Sequence, residues 1–180
     1  MQSLLAWRSN EAEMNEFHAA YLNLGLNIQP GMNLVKAIQL LSEHGAVRKI
    51  SSVWESRSVG APGPNYLNVC LLLMSPHMQT ELKEQVIHPI EARLGRKRTE
   101  DKYTPRTIDI DIILFDEQPY NDRLWDAAFV IVPLAEIYPD YRNPRTGEQI
   151  TETAARLLQK VWIEPRPGVL SHFDGSNSSA

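Results

Sequence analysis

Thr107-Ile108-Asp109-Ile110-Asp111-Ile112-Ile113-Leu114-Phe115 reads as a β-strand with two unlike faces. Successive side chains of a strand point to opposite sides, so Ile108, Ile110 and Ile112 share one face and Asp109 and Asp111 the other. The two acidic Cα atoms are then about 6–7 Å apart. Carboxylates at that separation can reach one pair of Mg²⁺ ions, which lie about 3.5–4 Å apart in two-metal sites. Mg²⁺ prefers carboxylate, water and phosphate oxygen. The alternative is a half-buried strand with a solvated acidic face, and a D-x-D pattern alone leaves both open.

Immediately upstream, Arg93, Arg96, Lys97, Arg98, Lys102 and Arg106 are offset only by Glu100 and Asp101. A basic loop running into paired carboxylates suits polyphosphate transfer, because cationic side chains stabilise the charge that spreads over a moving phosphoryl group. A solvated loop or a nucleic-acid contact are the other readings of the charge run. Long polar loops in compact domains are usually functional, active-site lids among them, or mobile, and Arg96 to Pro105 is such a stretch.

Further outward the pattern predicts a strand over His18–Leu24 and a helix carrying Leu34, Val35, Ile38 and Leu41, stopped at Gly45. One long strand is expected from Val47 to Val59, a loop at Gly60-Ala61-Pro62-Gly63-Pro64, and an apolar strand over Tyr66–Met74. A helix over Met78–Leu94 is expected to kink at Pro89. After the acidic strand come a turn at Asp116-Glu117-Gln118, a helical turn over Pro133–Ile137, a terminal helix over Thr151–Trp162 and a tail that frays after Pro165. The β-α-β-β-α-β order defines an α+β, ferredoxin-like sheet with helices on one face, followed by C-terminal additions. The chain is expected to be one domain: a polar extension over 1–16, the domain body over 17–163, and a flexible tail over 165–180.

Composition narrows the function classes. With 180 residues, 43% apolar and 22% charged, the chain can bury a real core. A net charge of -4 argues against a surface built for nucleic acid or an anionic membrane. Cys70 is the single cysteine and lies in an apolar strand, so it reads as core, with no intrachain disulfide possible. No apolar run approaches a membrane span, and Leu4-Leu5-Ala6-Trp7 is too short for a signal-peptide core, so the cytosol is expected. Neither G-x-x-x-x-G-K-[ST] nor G-x-G-x-x-G occurs, so phosphates would be held by side chains and metal.

Pro105-Arg106-Thr107-Ile108-Asp109-Ile110-Asp111-Ile112 resembles the signature of the 6-hydroxymethyl-7,8-dihydropterin pyrophosphokinases. Leu24-Gly25-Leu26-Asn27, Ser51-Ser52-Val53-Trp54, Val59-Gly60, Tyr66-Leu67-Asn68 and Pro133-Leu134 with Glu136-Ile137 are similar to other segments of that family, in the same order. The resemblance implies transfer of the β,γ-diphosphate of ATP to the pterin hydroxymethyl group, releasing AMP. It implies Asp109 and Asp111 as ligands of two Mg²⁺ ions, with Arg96 and Arg106 on the moving diphosphate. It implies Glu91, Arg98, Lys102 and Ile112 at the nucleotide. It implies Tyr66 and Phe129 stacking the pterin, with Ser56, Val59, Asn68 and Tyr103 around it. ATP and a pterin are thus the expected partners, and a monomer the expected state. The chain departs from the family at Glu55, Arg57 and Ser58, which replace a typical Arg and a Pro-Pro pair. It also lacks a counterpart of the family's Pro-His loop before Phe129. Two alternatives stand beside this reading: (pyro)phosphate transfer to another small heterocycle, and a non-catalytic ligand-binding protein that kept the fold.

Overall fold

The computed structural model describes residues 17–58, 63–97, 105–120 and 122–170. Among the described residues seven strands form one sheet: β1 (His18–Leu26), β2 (Ala46–Ile50), β3 (Trp54–Ser56), β4 (Tyr66–Ser75), β5 (Asp109–Phe115), β6 (Gln118–Pro119) and β7 (Ile163–Pro165). Their order is β6-β5-β1-β4-β3-β7, with β2 also paired to β4, and every pairing is antiparallel. This is the expected ferredoxin-like arrangement, with the acidic strand β5 beside the central strand β1.

Two helices cover one face. Helix α1 is Pro30–Ser42; α2 is built from Gln79–Glu81, a π-helical turn at Leu82–Ile87, and His88–Arg93. Against them pack Leu22, Leu24 and Leu26 of β1, Leu71 and Leu73 of β4, and Ile110 and Ile112 of β5. Full burial of each such side chain contributes about 1.5–3 kcal/mol. The C-terminal additions cover part of the opposite face. Helix α3 (Ala128–Ile137) and helix α4 (Ile150–Leu158) pack on Tyr21, Cys70, Leu72, Ile113 and Leu114.

Several boundaries differ from the sequence reading for identifiable reasons. The expected long strand from Val47 is two strands. Between Ile50↔Leu71 and Trp54↔Asn68, four residue steps on one strand face three on the other. Ser51 bridges the gap, its Oγ accepting the Cys70 N–H at 2.9 Å in place of a backbone carbonyl. Helix α1 stops at Ser42, before Gly45. Gly45 is required by close approach, since a Cβ there would lie 2.3 Å from the Met74 carbonyl oxygen.

Pro89 does not sit inside a regular helix. The π turn ends at His88, whose N–H bonds the Lys83 carbonyl, so Pro89 opens the following α-helical segment, where its missing N–H costs least. Helix α3 begins well before Pro133. It is apolar apart from Glu136 and carries that proline internally, so no helical period marked it. The terminal helix ends at Leu158, and the next residues form β7 on the edge of β3. The residues directly after Pro165, where fraying was expected, are held instead: Arg166 N–H bonds the Val53 carbonyl at 2.7 Å, and Val169 and Leu170 pack on the core, while 171–180 lie outside the described residues.

Candidate active site

The face opposite α1 and α2 is left open where the ends of β1, β3, β4 and β5 meet. A cavity of about 230 Å³ lies there. Sheet register places its floor. Asp109 of β5 pairs with Gly25 of β1, and Gly25 with Asn68 of β4; one step along, Asp111 pairs with Asn23. Ser56 and Arg57 close the β3 side, with Tyr66, Arg106, Leu124 and Phe129 completing the wall. Gly25 keeps the floor low, for a Cβ there would meet Asn68 Oδ1 at 3.6 Å and project beside the carboxylates.

Asp109 is gripped from two sides. Arg96 and Arg106 each donate through Nη1 to a different oxygen of its carboxylate. Arg96 Nη1 also reaches Glu91 Oε1 at 2.8 Å and the Ile108 carbonyl at 3.1 Å. Glu91 is 3% exposed, and its Oε1 accepts the Ile110 N–H at 2.9 Å, which ties α2 to the acidic strand. Arg106 is placed by its backbone. Its N–H donates to Asn27 Oδ1 at 2.7 Å, and its carbonyl accepts from the N–H groups of Asn27 and Ile28 at 3.0 and 3.1 Å.

Among the described residues, Asp111 has no such pair of close cations. Although it keeps surface open to the cavity, the surrounding protein withdraws its carboxyl from bulk water. That burial first, then the negative charges of Asp109 and Glu91, push it up to about 6, against the opposing pull of Arg96 and Arg106. Across the strand pair, Asn23 is 3% exposed and its Oδ1 has no hydrogen-bond partner. Among the described residues the only other such buried side-chain atom is Thr107 Oγ1, two residues before Asp109. Buried orphan acceptors are rare and call for an explanation. Two carboxylates and an amide oxygen offer a hard cation a few oxygen ligands and leave most of its shell to water and phosphate, as Mg²⁺ prefers. The residues therefore fit the metal.

The β3–β4 side of the cavity is equally ordered. Asn68 is 2% exposed and donates through Nδ2 to Ser56 Oγ at 2.9 Å, which leaves its Oδ1 toward Gly25. Tyr66 and Phe129 are half-buried in the cavity wall. Phe129 is tied to β3 through its helix, because Glu136 accepts from the Trp54 indole N–H at 2.8 Å and the Ser52 N–H at 2.7 Å. Cys70 is fully buried and burial raises its thiol further, so it is core, as expected.

Ser56, Tyr66, Asn68, Arg106, Asp109, Asp111 and Phe129 thus converge on one cavity. Three expected site residues do not line it, of which Arg96 meets the site through Asp109. Ile112 is 3% exposed on the α1–α2 side, because strand alternation puts it opposite Asp111; only its backbone is available to a ligand. Glu91 lies beneath the cavity, engaged with Arg96 and Ile110, rather than lining it. Val59, Arg98, Lys102 and Tyr103 lie outside the described residues, as does most of the expected lid. The sequence reading passed over Asn23, Leu124 and Arg57 as site residues. Asn23 had a signal, a polar residue inside the run Tyr21-Leu22-Asn23-Leu24.

Comparison with known proteins agrees with this geometry. The profile of 7,8-dihydro-6-hydroxymethylpterin-pyrophosphokinase matches residues 21–139. A 2-amino-4-hydroxy-6-hydroxymethyldihydropteridine pyrophosphokinase of Synechocystis is 36% identical over 157 residues, covering 81% of this chain and 80% of the relative. The Bacillus subtilis protein of the same name is 32% identical over 156 residues, covering 78% and 90%. Among solved structures, an HPPK-DHPS complex with substrates superposes with a TM-score of 0.61 at 10% identity, over 79% of this chain. A Plasmodium falciparum HPPK-DHPS triple mutant gives 0.63 at 12% identity over 80%. This chain spans 44% and 45% of those two longer chains, and at such identity they show the fold alone. Taken with the carboxylate strand and the cavity it floors, the profile match and the two curated relatives place this chain in the 7,8-dihydro-6-hydroxymethylpterin-pyrophosphokinase family.

Proposed function

We propose that this chain transfers the diphosphate of ATP to the hydroxymethyl group of 6-hydroxymethyl-7,8-dihydropterin, a step of folate biosynthesis. The observation that carries the reading is the union, in one cavity, of the Asp109/Asp111 pair with the Tyr66, Asn68 and Phe129 wall. The acceptor hydroxyl oxygen attacks the β-phosphorus of ATP, the bond from that phosphorus to the α,β-bridging oxygen breaks, AMP leaves, and the hydroxyl proton is released. Asp109 and Asp111 hold Mg²⁺, which when bound compensates the charge of the triphosphate.

The chain's own groups position the reactants. Arg96 and Arg106 already end at Asp109, so phosphate held beside that carboxylate meets both guanidinium groups. Glu91 acts behind them, fixing Arg96. Tyr66 and Phe129 offer flat apolar surfaces to a planar ring, and Asn68 offers the acceptor edge an amide oriented by Ser56. Arg98, Lys102, Tyr103 and Val59 complete the nucleotide and pterin contacts in this reading, with the loop through 98–104 closing over ATP. The enzyme works as a cytosolic monomer on these two small molecules. No described helix is long and apolar enough to cross a membrane.

Incubation with ATP and Mg²⁺ should release AMP only when the hydroxymethyl-dihydropterin is present. No AMP, or AMP release independent of the acceptor, overturns the reading. Tyr66→Ala and Phe129→Ala are each expected to weaken acceptor binding by about 1–3 kcal/mol, the scale of stacking on a planar base. Fluorescence titration of the pterin checks this, and unchanged affinity in both removes these rings from the site. Asn23→Leu is expected to weaken Mn²⁺ binding, followed by paramagnetic resonance, about tenfold while the fold is kept. Unchanged binding would detach Asn23 from the metal.

A further inference from the structure

Arg57 has no role in the reading above, yet it lines the cavity. Its guanidinium carbon stands 5.5 Å from the centre of the Trp162 ring, a cation–π contact. Trp162 directly precedes β7, whose Ile163 pairs with Ser56 of β3. The indole N–H donates to Glu164 Oε1 at 2.9 Å. The same edge is held again by the ion pair of Arg166 with Glu55, and by Asn65, which donates to Glu55 at 2.8 Å. A C-terminal addition thus supplies the platform on which a cavity cation rests.

Position decides what that cation can do. Asp109 lies on β5 and Arg57 follows β3, with β1 and β4 between them. Three strand spacings amount to about 14 Å. Arg57 is therefore remote from the carboxylates and from any phosphate they hold, and it lines the β3 end of the same cavity. A pteridine that directs its 6-hydroxymethyl group toward Asp109 and Asp111 turns its other ring, with the oxygen at position 4, toward β3. A guanidinium presents a planar fork of donors that suits a ring oxygen and stacks on an aromatic face, which a lysine ammonium does less well.

We propose that Arg57, held against Trp162, is a specificity-determining residue that donates to the pyrimidine-ring oxygen of the acceptor. The proposal deepens the reading of the same site as a pterin diphosphotransferase and rests on it. Trp162 is its positioning residue.

The test titrates 6-hydroxymethyl-7,8-dihydropterin by fluorescence in the presence of Mg²⁺ and a non-hydrolysable ATP analogue, with the analogue's own affinity measured in parallel. Arg57→Ala should weaken acceptor binding about tenfold, the loss of one charge-assisted hydrogen bond, and leave analogue binding unchanged. In turnover its acceptor KM rises about tenfold while kcat stays within about twofold. Trp162→Ala should weaken the acceptor about threefold, Trp162→Phe should restore it, and adding Trp162→Ala to Arg57→Ala should cost nothing more. Acceptor affinity within about twofold of wild type in Arg57→Ala overturns the proposal alone, since wild type then still binds the pterin. Wild-type protein that binds the analogue but no pterin overturns the functional reading and this proposal together.

Discussion

Asp111→Asn is expected to lower diphosphate transfer by on the order of 10²–10³-fold, the usual cost of removing one charge-stabilising group from a transfer site. The same substitution should make the ligand-free protein more stable at neutral pH. The two effects share one cause. In the fold the Asp111 carboxyl is pushed up to about 6 by burial and by the charges of Asp109 and Glu91, from an ordinary value of 3.8. Below pH 4 it is protonated whether the chain is folded or not, and it costs nothing. As pH rises toward 6 the unfolded chain gives up the proton first, so ionisation disfavours the native state, fully so above pH 6. Asparagine cannot ionise and escapes that cost. Calorimetry should therefore show a Tm gain for Asp111→Asn at pH 7.5 that shrinks toward zero at pH 4. Saturating Mg²⁺ and nucleotide should raise the wild-type Tm more than the variant's, because only the wild type has the second carboxylate to bind them. Turnover within threefold of wild type would sink the assignment of Asp111 to the metal.

Glu91→Ala should be the most damaging single change to the fold, costing about 3–5 kcal/mol, the range for breaking a buried charge pair. One oxygen of Glu91 accepts from both Arg96 and the Ile110 N–H, and the residue is almost fully enclosed. Truncation leaves a backbone donor of β5 unpaired and frees Arg96 from one of its two carboxylates. In a chain of this length the loss corresponds to a fall in Tm of about 10 °C. Glu91→Gln keeps an acceptor for Ile110 and should cost only about 1–3 kcal/mol. Urea unfolding of the three proteins decides the matter. A Glu91→Ala midpoint indistinguishable from wild type would falsify the anchoring role and return Glu91 to the nucleotide.

The contrast between Glu91 and Asp111 shows where reading the sequence ran out. Both are acids beside a basic segment; strand alternation marked Asp111, but nothing in the linear pattern marked Glu91 as buried. Burial separates them: one serves as a bolt between α2 and β5, while the other keeps a face on the cavity. Ile112 differs for another reason, its side chain being in the core and only its backbone left for a ligand. Its position in the motif suggested the nucleotide, although the alternation that united the aspartates also sent it to the core.

The two-faced acidic strand, the β-α-β-β-α-β order, the core character of Cys70 and the family are legible in local sequence. Period-two and helical patterns are written in neighbouring residues, and so is an eight-residue motif. Tertiary structure alone decided the rest. Helix α3 is apolar apart from Glu136, so it carries no clear period; only contact with the back of the sheet makes it a helix and brings Phe129 to the cavity. The break at Ser51 depends on the Cys70 N–H, nineteen residues away in the chain, reaching a serine hydroxyl. Arg57 becomes a cavity residue backed by Trp162 only when β7 pairs with β3, more than one hundred residues later. Contacts between distant segments are selected by the free energy of packing the whole sheet, and no local stretch of sequence contains that term.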